Sequence, residues 1–111
     1  MSFRNFVIKI SGILNTRKSY FVYILASEQN GTLYVGVTSN LKRRINEHKE
    51  GIVEGFTKKY NIKQLVLFEE TLDVNSAIQR EEKLKSWKRN WKLDLIEKDN
   101  PHWEDLYNDL E

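Results

Sequence analysis

Residues 20–48 read Tyr20-Phe-Val-Tyr-Ile-Leu-Ala26, Ser-Glu-Gln-Asn-Gly-Thr, Leu33-Tyr-Val-Gly-Val-Thr38, Ser, Asn40-Leu-Lys-Arg-Arg-Ile-Asn-Glu-His48. The two apolar runs are rich in β-branched and aromatic residues, which favour strands, and the intervening Asn30-Gly31 is a strong hairpin signal. Ser39 or Asn40 is a natural N-cap for a helix that runs to about Lys49. The stretch therefore predicts a β-hairpin followed at once by a basic helix.

The chain beyond this stretch predicts one more strand and further helices. Leu65-Val-Leu-Phe68 has the composition of a third strand. Asp73 or Asn75 is a suitable cap for the helical region that follows, which is too long for one ordinary helix, so we expect two helices with a bend near residues 89–90. A last short helix is predicted around residues 104–110. The predicted fold class is α+β and sandwich-like: a small three-stranded antiparallel sheet flanked by helices.

Length and composition bound the kind of protein. A chain of 111 residues supports one domain, which we assign to residues 20–111, preceded by an N-terminal extension without clean periodicity at residues 1–19. There is no cysteine, so disulfides and thiolate metal sites are excluded. No apolar run is long enough to cross a membrane, and the N-terminus does not resemble a signal peptide. We expect a cytoplasmic protein without a membrane partner.

Charge is divided unevenly along the chain. Residues 1–92 carry 17 basic and 9 acidic residues, a net charge of +8, whereas residues 93–111 carry 1 basic and 7 acidic residues, a net charge of −6. A basic body suggests a polyanionic partner such as nucleic acid. A solvated surface with segregated charges is the alternative that composition leaves open.

Two tyrosines of the hairpin are predicted to share one face of the sheet. Side chains alternate along a strand, and an even-numbered loop without a bulge pairs even with odd positions, so Tyr23 and Tyr34 project from the same side. A two-residue turn at Asn30-Gly31 would leave them four residues out of step, whereas a loop wider by four residues would set them level. If the tyrosines act together, we expect the wider loop; two ordinary sheet tyrosines remain the alternative.

The first helix places basic groups on its predicted inward face. Leu41, Arg44, Ile45 and His48 follow the spacing of one helical face. A guanidinium on such a face needs a carboxylate or a phosphate, because an unpaired buried charge is costly. A structural ion pair for Arg44, and a structural role for His48, are the alternatives.

A later helix supplies a carboxylate and an aromatic-basic surface. Glu81 falls within an apolar stripe formed by Ala77, Leu84, Trp87, Trp91 and Leu95. An acid on an apolar stripe is the partner of a buried cation or a metal ligand. Both tryptophans are expected to belong to the core rather than to stack on nucleic-acid bases.

These residues together resemble the GIY-YIG nuclease domain, in its small stand-alone bacterial form. The first motif corresponds to Phe21-Val-Tyr23, with Phe-Val in place of Gly-Ile, and the second to Tyr34-Val-Gly36. Residues 40–45, with His48 one turn on, are similar to the family's arginine helix. Arg80-Glu81-Glu-Lys-Leu-Lys-Ser-Trp87 and the stretch to Trp103 are similar to its acidic helix and to the tail of the short members.

The resemblance implies a metal-dependent endonuclease that hydrolyses phosphodiester bonds in DNA, with RNA left open, and that acts in repair or recombination. The sequence contains no recognisable base-reading module, so we expect a nuclease that is selective for structure or strand ends, or one that relies on a partner. It implies Glu81 as the ligand of Mg²⁺ or Mn²⁺, Arg44 as the phosphate clamp and Tyr23 as general base, assisted by Tyr34 or His48. Basic residues away from the site are expected to contact the nucleic-acid backbone: Lys42, Arg43, Lys58, Lys59, Lys85, Lys88 and Arg89.

Two other functions remain compatible with the sequence. One is a non-catalytic nucleic-acid-binding module that retains the nuclease fold. The other is an interaction domain whose acidic C-terminus contacts a basic partner or docks on its own basic face as an autoinhibitor. The sequence leaves the oligomeric state open, a monomer included.

Overall fold

The computed structural model describes residues 18–110, in which three strands form one antiparallel sheet. The strands are β1 (Tyr20–Ala26), β2 (Leu33–Thr38) and β3 (Gln64–Thr71), in the order β2-β1-β3. The predicted α+β fold with a three-stranded antiparallel sheet is therefore confirmed. Of the predicted N-terminal extension, residues 1–17 lie outside the described residues.

Helices occupy both faces of the sheet. They are α1 (Leu41–Lys49), α2 (Phe56–Lys59), α3 (Val74–Ser86) and α4 (Arg89–Asp99), followed by a short 3₁₀ helix (Leu106–Asp109). Asn40 caps α1 by accepting a hydrogen bond from the Arg43 amide, and Asp73 caps α3 through the Ser76 amide. Extended backbone at Trp87 and Lys88 separates α3 from α4, so the predicted division into two helices is confirmed.

Strand β3 extends three residues beyond the predicted segment because its acidic end is neutralised. Glu69 is 1% exposed, and its two oxygens accept hydrogen bonds from Arg80 Nε and Nη2 at 2.7 and 3.0 Å. A bidentate pair of this kind offsets the cost of burying both charges. Arg80–Glu69 is thus a buried ion pair of the fold, and the Arg80 guanidinium is engaged in it.

The hairpin turn is wider than a two-residue turn by two residues. The Gly31 amide donates to the Glu28 carbonyl at 2.9 Å, and Asn30 adopts φ 60° within this turn. In the resulting register Tyr34 lies opposite Leu25, and Tyr23 lies opposite Gly36. The tyrosines therefore share a face, as predicted, and the loop is wider than a two-residue turn; because it is wider by two residues rather than four, the tyrosines are diagonal neighbours, and the expectation that they lie directly opposite each other is wrong.

The alternation of β1 divides the interior into two clusters. Val22, Ile24 and Ala26 pack on one side, with residues of α3 and α4. Tyr23 and Leu25 pack on the other side, with the apolar residues of α1 and of the C-terminal tail. The tyrosine face is consequently the one that α1 covers. No helix within residues 18–110 is long and apolar enough to cross a membrane.

The acidic tail is built into the second cluster. Asp105 accepts a hydrogen bond from the Leu65 amide at 3.1 Å and forms an ion pair with Lys49, while Leu106 and Tyr107 pack against the cluster. The tail is therefore a packed element of the domain rather than a free acidic arm.

Candidate active site

Three aromatic rings from three elements form the centre of the candidate site. Tyr23 comes from β1, Tyr34 from β2 and His48 from the last turn of α1. The ring centroids of the two tyrosines are 6.3 Å apart, and the His48 ring lies 5.9 Å from Tyr23 and 5.6 Å from Tyr34. The residues that the sequence singled out on strand and helix are thus brought together.

Gly36 makes room for the Tyr23 ring. A Cβ at this position would lie 2.5 Å from both Cζ and the hydroxyl oxygen of Tyr23, closer than carbon atoms approach in proteins. The ring therefore crosses directly over the glycine backbone of the neighbouring strand. Gly36 ends the second motif, and its position opposite Tyr23 in the cross-strand register explains why a glycine fits there.

Replacing Gly36 with alanine is expected to destabilise the protein by about 1–3 kcal/mol, because the added methyl group overpacks the Tyr23 ring. Urea unfolding, followed through tryptophan fluorescence, measures the change. The cost should shrink when Gly36→Ala is made in a Tyr23→Ala background, since the clash then has no partner. An equal cost in both backgrounds would contradict this packing.

A hydrogen-bonded chain connects the phenol to a buried threonine. The Tyr23 hydroxyl lies 3.1 Å from His48 Nε2, and His48 Nδ1 lies 3.0 Å from the Thr57 hydroxyl. When Nδ1 carries the proton and donates a hydrogen bond to the Thr57 hydroxyl oxygen, Nε2 is free to accept a hydrogen bond from the tyrosine hydroxyl. Thr57 lies in α2, a short helix for which the sequence carries no clear signal, and no residue spacing marks it as part of the site.

Burial sets the protonation states of Tyr23 and His48. Desolvation, with Tyr34 adding to it, raises the pKa of Tyr23 well above its ordinary value, although the Arg44 guanidinium acts in the opposite direction. Desolvation lowers the pKa of His48 below its ordinary value of 6.5, and Arg44 lowers it further. At neutral pH, therefore, the phenol is protonated and the imidazole is neutral and able to accept a proton.

The depressed pKa of His48 predicts a pH dependence of both titration and stability. Between the folded pKa and 6.5 the unfolded chain binds more protons than the folded one, so the free energy of unfolding falls as pH drops below 6.5. NMR titration of the His48 ring should give a midpoint below 6.5; His102→Gln removes the second histidine signal. A midpoint at or above 6.5 would contradict the burial of a neutral imidazole.

Arg44 lies at the edge of the site rather than inside it. Leu41, Ile45 and His48 are buried, as the helical face predicted, but the Arg44 side chain is 43% exposed. Its Nη1 lies 3.4 Å from Glu47 Oε1, a loose pair within one helical turn. The expectation of an inward guanidinium is corrected: long side chains extend their charged ends to water, and Arg44 is placed to receive a ligand there.

Glu81 contributes a carboxylate from the opposite layer. Helix α3 packs against β1 and β2, and the Glu81 side chain is 14% exposed. Its Oε2 lies 2.7 Å from Lys85 Nζ, one turn further along the helix. The carboxylate is close enough to Tyr23 to raise the pKa of the phenol. The partner of Glu81 is consequently Lys85, not Arg44.

The candidate site suits a metal ion that takes most of its ligands from water and from the substrate. Within residues 18–110 no three His, Asp, Glu or Cys side chains converge as a cage. Mg²⁺ usually keeps several waters and binds one or two carboxylates together with substrate phosphates. A single carboxylate at Glu81 fits this mode, provided that Lys85 moves aside.

The basic residues predicted to contact the nucleic-acid backbone lie mostly at the surface. Six of them are exposed, although Lys85 pairs with Glu81 and Lys58 with Glu54: Lys42, Arg43, Lys58, Lys59, Lys85 and Lys88. Arg89 differs, because its Nη2 donates to the carbonyls of Asn30 and Gly31 at 2.8 and 2.7 Å. That residue holds the hairpin turn to the start of α4.

The expectation that both tryptophans belong to the core is wrong for Trp91. Trp87 is half-buried and packs on the first cluster, whereas Trp91 is 53% exposed and meets Trp87 edge-on at 5.8 Å. The predicted apolar stripe assumed one continuous helix. Extended backbone at residues 87–88 interrupts the helix, so the residues after the break no longer continue the same buried face.

Comparison with known proteins identifies the class. Residues 19–94 match the family of the GIY-YIG catalytic domain. A UPF0213 protein of Natronomonas pharaonis is 35% identical over 77 residues, which cover 69% of this chain and 89% of that protein. A UPF0213 protein of Clostridium perfringens is 38% identical over 76 residues, covering 68% and 81% of the two chains.

A solved structure agrees with this assignment. The solution NMR structure of a UPF0213 protein of Bacillus halodurans superposes with a TM-score of 0.50 at 26% identity, covering 78% of this chain and 92% of that one. The chain belongs to the GIY-YIG family and has its nuclease-like fold. Among members of this family it is similar to the small UPF0213 proteins, and the family implies a nucleic-acid substrate.

Proposed function

We propose that the protein is a divalent-metal-dependent endonuclease that hydrolyses phosphodiester bonds, with DNA as its substrate. The observation that carries the proposal is the cluster of Tyr23, Tyr34 and His48. Arg44 and Glu81 flank this cluster closely enough to shift the pKa of Tyr23. Such a set offers a proton acceptor, a phosphate clamp and a hard oxygen ligand, which are the groups that phosphodiester hydrolysis needs.

The proton pathway runs from the attacking water through Tyr23 to His48. The raised pKa of the phenol means that Tyr23 is not ionised beforehand, so it accepts a proton from water only as it gives its own to His48 Nε2. Thr57 contacts the other ring nitrogen and holds the ring in place, and the pathway uses the tautomer in which Nδ1 carries the proton and donates to the Thr57 hydroxyl. This proposal modifies the assignment made from sequence: Tyr23 still activates the water, but His48 is the destination of the proton.

Access to the phenol depends on Arg44. Tyr23 is 1% exposed, whereas Tyr34 is half-buried and Arg44 reaches solvent. The partly exposed Arg44–Glu47 pair is of a kind worth little in free energy. A phosphate would therefore draw the guanidinium from Glu47 at small cost. Because Arg44 lies close enough to the phenol to lower the pKa of Tyr23, its movement would expose the Tyr23 oxygen to water.

Glu81 is the residue that would hold Mg²⁺ or Mn²⁺. Its ammonium partner, Lys85, is 54% exposed and sits on a flexible stem, so it can leave the carboxylate for a nearby phosphate. When bound, the ion supplies positive charge that stabilises the leaving 3′ oxygen. Selectivity for nucleic-acid structure, a role in repair or recombination and a cytoplasmic location remain predictions.

The experiment that tests the proposal is a nicking assay on branched, single-stranded and duplex DNA, in Mg²⁺ and in chelator. We expect cleavage of at least one substrate in Mg²⁺ and none in chelator. Equal cleavage in chelator would contradict the metal assignment, and the corresponding RNA substrates decide between the two nucleic acids.

A non-catalytic nucleic-acid-binding module is the second candidate. The near-complete burial of Tyr23 and the Lys85–Glu81 ion pair favour it, because both describe a site closed to water and metal. Binding without cleavage, across all substrates and metals, would support this candidate against the nuclease.

A further inference from the structure

Helix α2 exposes a pair of aromatic rings that the proposed reaction does not use. Phe56 and Tyr60 are each 48% exposed, and their ring centroids lie 4.8 Å apart with the planes tilted by 52°. Exposed apolar groups that cluster in this way are typical of binding surfaces. We call Phe56 and Tyr60 the ring pair.

Two lysines of the same helix accompany the ring pair. Lys59 Nζ lies 5.3 Å from the centroid of the Tyr60 ring, and Lys58 belongs to the same turn. Lys58 pairs with Glu54 at 3.1 Å, but the two side chains are 51% and 81% exposed, so this pair is readily exchanged. Aromatic faces beside mobile cations are the composition of surfaces that bind single-stranded nucleic acid.

The same helix reaches the candidate active site from its other side. Thr57 is 3% exposed and holds His48 Nδ1, while its chain neighbour Phe56 points to solvent. Gly55, at φ 104°, provides the backbone turn that starts this helix. The ring pair therefore begins one residue from the group that fixes the proposed proton acceptor.

We propose that the ring pair stacks an unpaired nucleobase of the substrate strand close to the scissile phosphate. This inference rests on the proposed function, because it takes the Tyr23–His48 site as the place of cleavage. Bases in an intact duplex are already stacked on their neighbours, so their faces are available only where the strand is single or splayed. The ring pair thus selects single-stranded or branched nucleic acid over continuous duplex.

The test separates binding from cleavage. Fluorescence anisotropy in chelator measures the affinity of the full chain for a short single-stranded DNA and for the same strand with abasic sites. Wild type should bind the intact strand about five- to a hundred-fold more tightly, the range that stacking of one base provides. The double variant Phe56→Leu/Tyr60→Leu, which keeps apolar bulk without rings, should bind both strands equally.

Trp91→Ala is the matched control, because it removes an exposed ring on another helix and should retain the preference for intact strands. Loss of the preference in this control alone, or its absence in wild type, would overturn the proposal. The proposal would also be overturned if wild type were a dimer and the double variant a monomer, because the rings would then bind a second copy of the chain. If wild type prefers the intact strand to the abasic one but cleaves nothing in Mg²⁺, the stacking proposal is supported and the nuclease proposal is contradicted. If it cleaves but shows no such preference, the nuclease proposal is supported and the stacking proposal is contradicted.

Discussion

Replacing Glu81 with glutamine is expected to reduce DNA cleavage at least about a hundred-fold, because a neutral amide binds a divalent cation far more weakly than a carboxylate does. The variant keeps the shape and packing of the half-buried side chain, so its unfolding transition should remain close to that of wild type. Affinity for DNA in chelator should persist or rise, since a negative charge near the site has been removed. Initial cleavage rates across a Mg²⁺ series measure the effect.

The control for this substitution is Glu82→Gln. Glu82 is the next residue of α3 after Glu81, but its side chain is exposed. Its neutralisation therefore changes the net charge by the same amount as Glu81→Gln without affecting the site. We expect cleavage by Glu82→Gln to stay within a few-fold of wild type. Equal losses in the two variants would mean that charge alone matters, and retained activity in Glu81→Gln would remove Glu81 as the metal ligand.

Replacing Tyr23 with phenylalanine is expected to reduce cleavage about 10²–10⁴-fold, the usual contribution of general acid–base catalysis. The hydroxyl is the atom that contacts His48 Nε2, so its removal interrupts the proposed proton pathway. The ring still fits over Gly36, and the free energy of unfolding should change by only about 1 kcal/mol, the worth of one hydrogen bond. Single-turnover cleavage rates, compared with affinity in chelator, isolate the chemical step.

Tyr107→Phe provides the matched control. Its hydroxyl donates to Asn46 on α1 at 3.4 Å, so the substitution removes a phenol from the same side of the sheet without altering the ring cluster. Cleavage by Tyr107→Phe should remain near wild type. If Tyr23→Phe retained full activity, the water would have to be activated by another group.

Local signals in the sequence predicted most of the fold. Strand composition, helix caps at Asn40 and Asp73, and the length limit on the later helix all act over a few residues, so they can be recognised without tertiary information. Alternation along β1 and β2, with an even-numbered loop between them, was sufficient to place Tyr23 and Tyr34 on one face. Loop width was not predictable in the same way, because the Asn30-Gly31 signal marks a turn without fixing which residues close it.

Parts of the site depend on contacts that sequence spacing does not encode. Thr57 reaches His48 only because α2 packs beside the end of α1, and the role of Gly36 depends on the register between two strands. Lys85 was predicted to bind nucleic acid, although its position four residues after Glu81 also allows an ion pair. Helical periodicity failed for Arg44 and Trp91, since a long cation extends to solvent and a helix break changes the phase.

The most direct test of the central claim, that the Tyr23 cluster and Glu81 together hydrolyse phosphodiester bonds, is the cleavage rate of the double variant Tyr23→Phe/Glu81→Gln beside wild type. Both proteins, purified identically, would be assayed in Mg²⁺ on a strand with unpaired bases. The account predicts cleavage by wild type and none above background by the double variant, with binding of DNA retained by both. Equal cleavage by the two proteins would contradict the account, because the activity would then come from another site or from a contaminant.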